Sequence, residues 1–259
     1  MQDLKVALIQ ANLVWEKPHQ NRLDFSKKIA AISQGIDLIV LPEMFNTGFT
    51  MNPHAVAETM DGETINWLKN IAKEKNCAIT GSLIIQEQNK YYNRLVFAFP
   101  QGGIEIYDKH HTFSLAGEDK VYTAGEKKLI VDYKGWKICP LICYDLRFPV
   151  WARNTEDYDL LIYVANWPKT RITAWDTLLK ARAIENMTYC IGVNRVGLDA
   201  NDYEYIGHSS AYDSLGKIIS NIPDSVEDTT IINLNREHLK KTRKKLQFLN
   251  DRDEFQMSF

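Results

Sequence analysis

Two short apolar runs do most to limit how this chain can fold: Asp37-Leu38-Ile39-Val40-Leu41-Pro42-Glu43 and Asp159-Leu160-Leu161-Ile162-Tyr163-Val164-Ala165. Each opens on an aspartate and then runs apolar, to Pro42 in the first and to Ala165 in the second, as a strand buried on both faces does. Similar elements surround each run in the same order. Leu4 to Gln10 precedes the first as an apolar strand, and Trp136 to Cys143 precedes the second. After the first, a helix starting near Asp61 (inner stripe Ile65, Leu68, Ala72) leads to Cys77-Ala78-Ile79-Thr80-Gly81. After the second, a helix over 173–187 leads to Tyr189-Cys190-Ile191-Gly192-Val193. A repeat of this kind predicts two similar halves, each a sheet with helices on its outer face. Packed sheet to sheet, they give a four-layer αββα sandwich of the α+β class. No linker-like or low-complexity stretch divides the halves, so residues 1–259 read as one domain.

The remaining segments fit that frame. Residues 21–34 have helical spacing, with Phe25, Ile29 and Ile32 on one face and Gly35 as the stop. Residues 78–85 and 91–99 form a hairpin joined through polar 86–90, and 104–109 return as a strand after the turn at 100–103. A short helix near 148–154 and a hairpin of 209–213 with 217–221 complete the second half.

Composition narrows the partners. With 45% hydrophobic and 25% charged residues the chain has material for a full core. A net charge of −2 gives no basic field to recruit nucleic acid or an anionic membrane. The first residues lack a signal peptide's apolar stretch, and no run is long enough to span a bilayer. The basic segment 239–246 is followed by Asp251, Asp253 and Glu254, so it reads as a solvated helix face or a subunit contact. Cysteines at 77, 139, 143 and 190 do not make a dense disulfide framework. A cytoplasmic protein with reduced thiols is the expectation. Four residues of extended chain separate Cys139 and Cys143 by about 13 Å, too far for a disulfide, which needs Cα atoms within about 7 Å.

Cys143 stands where the apolar strand ends and a polar, helix-starting segment begins. Open α/β-type sheets place reacting groups at such strand ends, and a helix N-terminus favours a thiolate. A free cysteine is equally well a small buried hydrophobe. Three more polar positions follow apolar strands: Glu43, Lys109 and Asn166. A carboxylate, an ammonium and a thiol in one dry cleft suffice for acyl transfer, as base, oxyanion stabiliser and nucleophile. Residue types alone leave other strand ends open to the same argument. No histidine pair has metal-ligand spacing, and adjacent His110 and His111 would point to opposite sides of a strand.

The motifs are more specific. Leu41-Pro42-Glu43-Met44-Phe45, Tyr107-Asp108-Lys109-His110-His111 and Leu141-Ile142-Cys143-Tyr144-Asp145-Leu146-Arg147-Phe148-Pro149 occur in that order. They resemble the three motifs of the nitrilase superfamily of carbon–nitrogen hydrolases. The likeness continues through Tyr163-Val164-Ala165-Asn166-Trp167-Pro168 and Ala181-Arg182-Ala183-Ile184-Glu185-Asn186 and spans nearly the whole chain. The resemblance implies the αββα fold, with Cys143 as nucleophile and Glu43 as general base. Lys109 is implied as oxyanion stabiliser, aided by the Tyr144 N–H, and Glu118 as a second glutamate beside the triad. Asp145 orders the turn after the nucleophile. The implied enzyme uses a thioester intermediate, no metal and no organic cofactor, and assembles as a homodimer.

Arg147-Phe148-Pro149-Val150-Trp151-Ala152-Arg153-Asn154 and Asn194-Arg195-Val196-Gly197 look most like the ω-amidases, which release ammonia from 2-oxoglutaramate and 2-oxosuccinamate. A carboxylate-bearing substrate needs a cation or N–H donors in the pocket. Arg147, His111, Arg195 and Lys169 are candidates, and Phe113 and Trp167 are candidate walls. Other readings are a nitrilase-type hydrolase of a different amide, a nitrile or an N-carbamoyl amine, and an inactive interaction module. A metal-dependent nuclease or phosphatase of similar architecture lacks its metal cluster and basic groove here.

Overall fold

Asp37 and Asp159 do the same work in the two halves. The Asp37 carboxylate accepts the Lys5 N–H at 2.8 Å, its own N–H reaches the Lys5 carbonyl, and its carbonyl takes the Ala78 N–H. Asp159 repeats all three bonds with Lys137 and Tyr189. Each aspartate thus ties the starts of three adjacent strands together, which is why each apolar run begins with one.

The computed structural model describes residues 2–257. The first half runs β1 (Leu4–Gln10), α1 (Pro18–Ala30), β2 (Leu38–Val40), α2 (Pro53–Val56), α3 (Glu63–Lys75), β3 (Ala78–Glu87), β4 (Lys90–Ala98) and β5 (Ile104–Asp108). The second runs β6 (Val131–Tyr133), β7 (Trp136–Ile142), α4 (Pro149–Ala152), β8 (Leu160–Ala165), α5 (Ile172–Glu185), β9 (Tyr189–Asn194), β10 (Val196–Leu198), β11 (Glu204–Ile206) and β12 (Ser210–Tyr212). Then β13 (Asp228–Leu234) returns to the first sheet and α6 (Arg236–Leu246) follows.

The first sheet has the order β13-β1-β2-β3-β4-β5, the second β12-β9-β8-β7-β6. In each, three parallel strands are flanked by antiparallel ones: β1, β2 and β3 in one, β7, β8 and β9 in the other. Strand alternation explains why the central runs are apolar throughout. Val6, Leu8, Leu38 and Val40 face the second sheet's Ile138, Ile142 and Ile162. Their neighbours Ala7, Ile9, Ile39 and Leu41 face Phe25, Ile29, Ile65 and Leu68 of α1 and α3. On the far side α5 lays Trp175, Leu179 and Ala183 on the second sheet. The approach is close: a Cβ at Gly192 of β9 would lie 2.4 Å from Leu179. The expected αββα sandwich of two similar halves is the observed fold.

Local differences have local causes. Helix α1 starts at Pro18, earlier than its apolar stripe suggested, because proline presets the first helical φ. The segment after Cys143 is a five-residue 3-10 turn, Cys143–Arg147, with only one helical turn (α4) beyond it. The hairpin at 209–221 is reduced to β12 and one bridge, Tyr212 to Ile218. Cys139 is buried on β7, and all four cysteines are free. In α6, Arg243 is not solvated: it binds Asp159 at 3.0 Å and the Met187 carbonyl at 2.7 Å. Among the described residues, no helix is long and apolar enough to cross a membrane.

Candidate active site

The carboxyl ends of β2, β5, β7 and β8 meet where the two sheets face each other, and each ends in a polar side chain. Glu43 lies just beyond β2. The next residue, Met44, has a left-handed φ of 42°, and its N–H bonds the Ser82 hydroxyl at 2.9 Å. This tight turn aims Glu43 inward. Lys109 directly follows β5, and its main-chain N–H is held by the Asn93 carbonyl on β4. Cys143 directly follows β7 with a φ of 43°, a costly conformation for a residue with a Cβ. Such strain at a strand end presents the thiol to the cleft.

Asp145 holds this turn. One carboxylate oxygen accepts the Ile142 N–H at 3.1 Å and the Tyr107 hydroxyl at 2.7 Å. The other accepts the His111 N–H at 3.0 Å and lies 2.8 Å from His111 Nδ1. His110 and His111 therefore do not alternate across a strand. They lie beyond β5, with ring centroids 4.4 Å apart, edge to face.

Glu43, Lys109 and Glu118 are fully or almost fully buried. Lys109 Nζ donates to Glu43 Oε1 at 2.9 Å and to both Glu118 oxygens at 3.1 and 2.9 Å. Glu118 also accepts the Phe113 N–H at 2.5 Å, which folds the 113–118 loop around it. Asn93 donates to Glu43 at 2.8 Å and to Glu118 at 3.2 Å. The second oxygen of Glu43 accepts the Asn166 N–H at 2.8 Å, while the Asn166 side chain binds the Glu43 carbonyl at 2.6 Å.

These contacts set the protonation states. Burial pushes the Cys143 thiol well up, the Glu43 carboxylate pushes it further, and the Lys109 ammonium acts against both. The expected helix N-terminus does not prevail, because the turn is short and two carboxylates stand close by. Burial disfavours the Lys109 ammonium, but Glu118 and Glu43 more than reverse this and raise it. The Glu118 carboxyl is raised by burial and by Glu43, against Lys109. The surroundings thus favour a thiol at Cys143 and an ammonium at Lys109, with the Glu43 carboxylate beside both.

Cys143 opens on a cavity of about 600 Å³. Phe113, Tyr144, Arg147 and Trp167 line it, together with Phe49 and Arg171. The Arg147 guanidinium lies 4.9 Å over the Trp167 ring and that of Arg171 lies 5.1 Å over Phe113. Among the described residues, neither has an ion pair with a carboxylate.

The other cations named from the sequence lie elsewhere. His111 stacks on Phe148 at 3.6 Å. Lys169 pairs with Glu204 at 2.8 Å on the surface. Arg195 is wholly buried and spent on the Val196, Leu198 and Leu13 carbonyls. Sequence reasoning missed Asn93 and Arg171. Asn93 sits beside Arg94 in the polar first half of β4, and Arg171 follows Lys169 after Pro168, so neither stood out from the sequence. Among the described residues, no group of His, Cys, Asp and Glu could hold a metal ion.

The carbon–nitrogen hydrolase family profile matches residues 5–244. Omega-amidase YafV of Escherichia coli K12 is 43% identical over 258 residues, covering 99% of this chain and 100% of that protein. The 2-oxoglutaramate amidase of Bacillus subtilis is 33% identical over 220 residues, 83% of this chain and 85% of its own length. Among solved structures, XC1258 of Xanthomonas campestris, a CN-hydrolase superfamily protein with an arsenic adduct in its active site, superposes with a TM-score of 0.97. It is 39% identical, with full coverage of both chains.

Proposed function

The chain belongs to the carbon–nitrogen hydrolase family, acting on carbon–nitrogen bonds other than peptide bonds, and from that premise we propose that it is an ω-amidase. It releases ammonia from the terminal amide of small 2-oxo dicarboxylic acid monoamides, 2-oxoglutaramate and 2-oxosuccinamate. One observation carries the reading. A cavity that ends on the Cys143 thiol, with Glu43 and Lys109 behind it, also holds two arginines without acidic partners. A guanidinium left without a carboxylate in an aromatic cleft suits a substrate that brings its own.

In this reading Glu43 takes the thiol proton as Cys143 Sγ attacks the amide carbon. The tetrahedral oxyanion is met by Lys109 and by the Tyr144 N–H, one of the first N–H groups of the 3-10 turn, which have no partner within it. When the C–N bond breaks, Glu43 returns the proton to the departing nitrogen, ammonia leaves and a thioester remains. Glu43 then deprotonates water, which attacks the thioester and frees the dicarboxylic acid and the thiol. Glu118 and Glu43 hold the Lys109 ammonium charged, and one N–H turned from Glu118, which keeps a second contact, donates to the oxyanion. Phe113, Tyr144 and Trp167 wall the substrate, with Arg147 and Arg171 on its carboxylate.

The test is ammonia release from 2-oxoglutaramate, with glutamine as comparison and Cys143→Ala as control. Rapid release from the oxo-amide, lost in the variant and weak with glutamine, is expected. Release from N-carbamoyl amines or nitriles in its place would move the chain to another branch of the family. We also propose a cytoplasmic homodimer, on the family resemblance. Light scattering at the 29.9 kDa of one chain would overturn the dimer.

A further inference from the structure

Asn194, at the carboxyl end of β9, is fully buried and far along the chain from every group assigned a chemical role. Its side chain spends its whole hydrogen-bonding capacity on backbone. Oδ1 accepts the Trp167 N–H at 2.7 Å and the Arg195 N–H at 3.0 Å. Nδ2 donates to the Trp167 carbonyl at 2.9 Å and to the Gly207 carbonyl at 2.7 Å. One side chain therefore grips both main-chain groups of Trp167.

Three functional groups hang on that residue. On its amino side, Asn166 presents its N–H to Glu43 Oε2 and its amide to the Glu43 carbonyl. Its own ring forms the cavity wall under the Arg147 guanidinium. Its indole N–H donates to the Arg171 carbonyl at 2.8 Å, fixing the turn that precedes α5. We propose that Asn194 is a positioning residue that sets, through Trp167, the aim of the Glu43 base and the placement of the two cavity arginines. This rests on the reading of Glu43 as base and of the arginines as substrate contacts.

Asn194→Ala and Asn194→Asp remove the donors to the Trp167 and Gly207 carbonyls, and the aspartate keeps the shape. Turnover of 2-oxoglutaramate should fall about tenfold or more in kcat, with a rise of about threefold in KM, as small misplacements at a reacting centre do. The rate at which iodoacetamide alkylates Cys143, read by intact mass, should fall with kcat, because that step also uses Glu43. A purely structural Asn194 would lower Tm while leaving kcat, KM and alkylation rate per folded chain unchanged; that result overturns the proposal. If neither variant folds, Ser209→Ala serves, since the Ser209 hydroxyl accepts the Asn194 N–H at 2.9 Å and donates to its carbonyl. The same pattern on a smaller scale is expected there, and unchanged kinetics would overturn the idea. If the wild type releases no ammonia from the oxo-amide, the substrate reading fails by itself and the alkylation rates still decide the role of Asn194.

Discussion

Asn166 donates its main-chain N–H to the Glu43 carboxylate at 2.8 Å, from 123 residues away and from the opposite sheet. The proposed base therefore belongs to neither half alone. Its other oxygen is held by Lys109 and Asn93 of its own half, so both oxygens are anchored before substrate arrives while an acceptor site on Oε2 stays open. A base fixed at both oxygens loses no time or free energy to reorientation.

Glu43→Gln keeps the volume but cannot take a proton. The expected loss in kcat is about 10²- to 10⁴-fold, the usual contribution of general base catalysis. Alkylation of Cys143 should slow as well, whatever the substrate. Turnover equal to wild type would remove Glu43 from the mechanism.

Lys109→Met leaves the buried Glu43 and Glu118 carboxylates facing each other without a cation. Breaking a buried pair from one side costs about 3–5 kcal/mol, so the urea midpoint should fall clearly along with activity. A variant as stable as wild type would mean that the carboxylates find other compensation.

Glu118 links folding to pH. Its folded-state pKa lies above the ordinary carboxyl value of 4.5, chiefly through burial. The protonated form is thus favoured in the folded state, and its stabilising contribution is complete below that value and lost as pH rises through the raised one. Lys109 is raised too, so its contribution is lost only above its ordinary 10.5. The stability of wild type minus that of Glu118→Gln should therefore decline as pH climbs from the acid range toward neutrality. Parallel melting curves across that range would contradict the assignment.

Arg147→Ala and Arg171→Ala should each raise KM for the oxo-amide about tenfold or more, since a hydrogen bond to a charged group is worth about 1.5–3 kcal/mol. Lys169→Ala, whose ammonium is already paired with Glu204 on the surface, should leave KM alone. The reverse ranking would place the substrate carboxylate elsewhere in the cavity.

How far the chain itself announced this site differs from residue to residue. The αββα sandwich was legible because the apolar runs at Asp37 and Asp159 repeat, and each burial pattern is a local property of its strand. Glu43, Lys109 and Cys143 could be named because each follows such a strand within a family-like motif. The substrate cations could not be ranked in this way. Arg147, Arg195 and Lys169 look alike as letters, yet one faces the cavity, one is spent on carbonyls inside the core and one pairs at the surface.

The sequence by itself determined the central strands of both halves and the main helices that cover them, that the two halves repeat, and which motifs supply the thiol, the carboxylate and the ammonium. These follow from side-chain periodicity and from short, ordered motifs. Only the tertiary structure decided that β13 returns to pair with β1, that burial raises the Cys143 thiol, that Arg171 enters the cavity and that Asn194 grips Trp167. Each of those depends on exclusion of water and on partners many residues distant, and no window along the chain contains both.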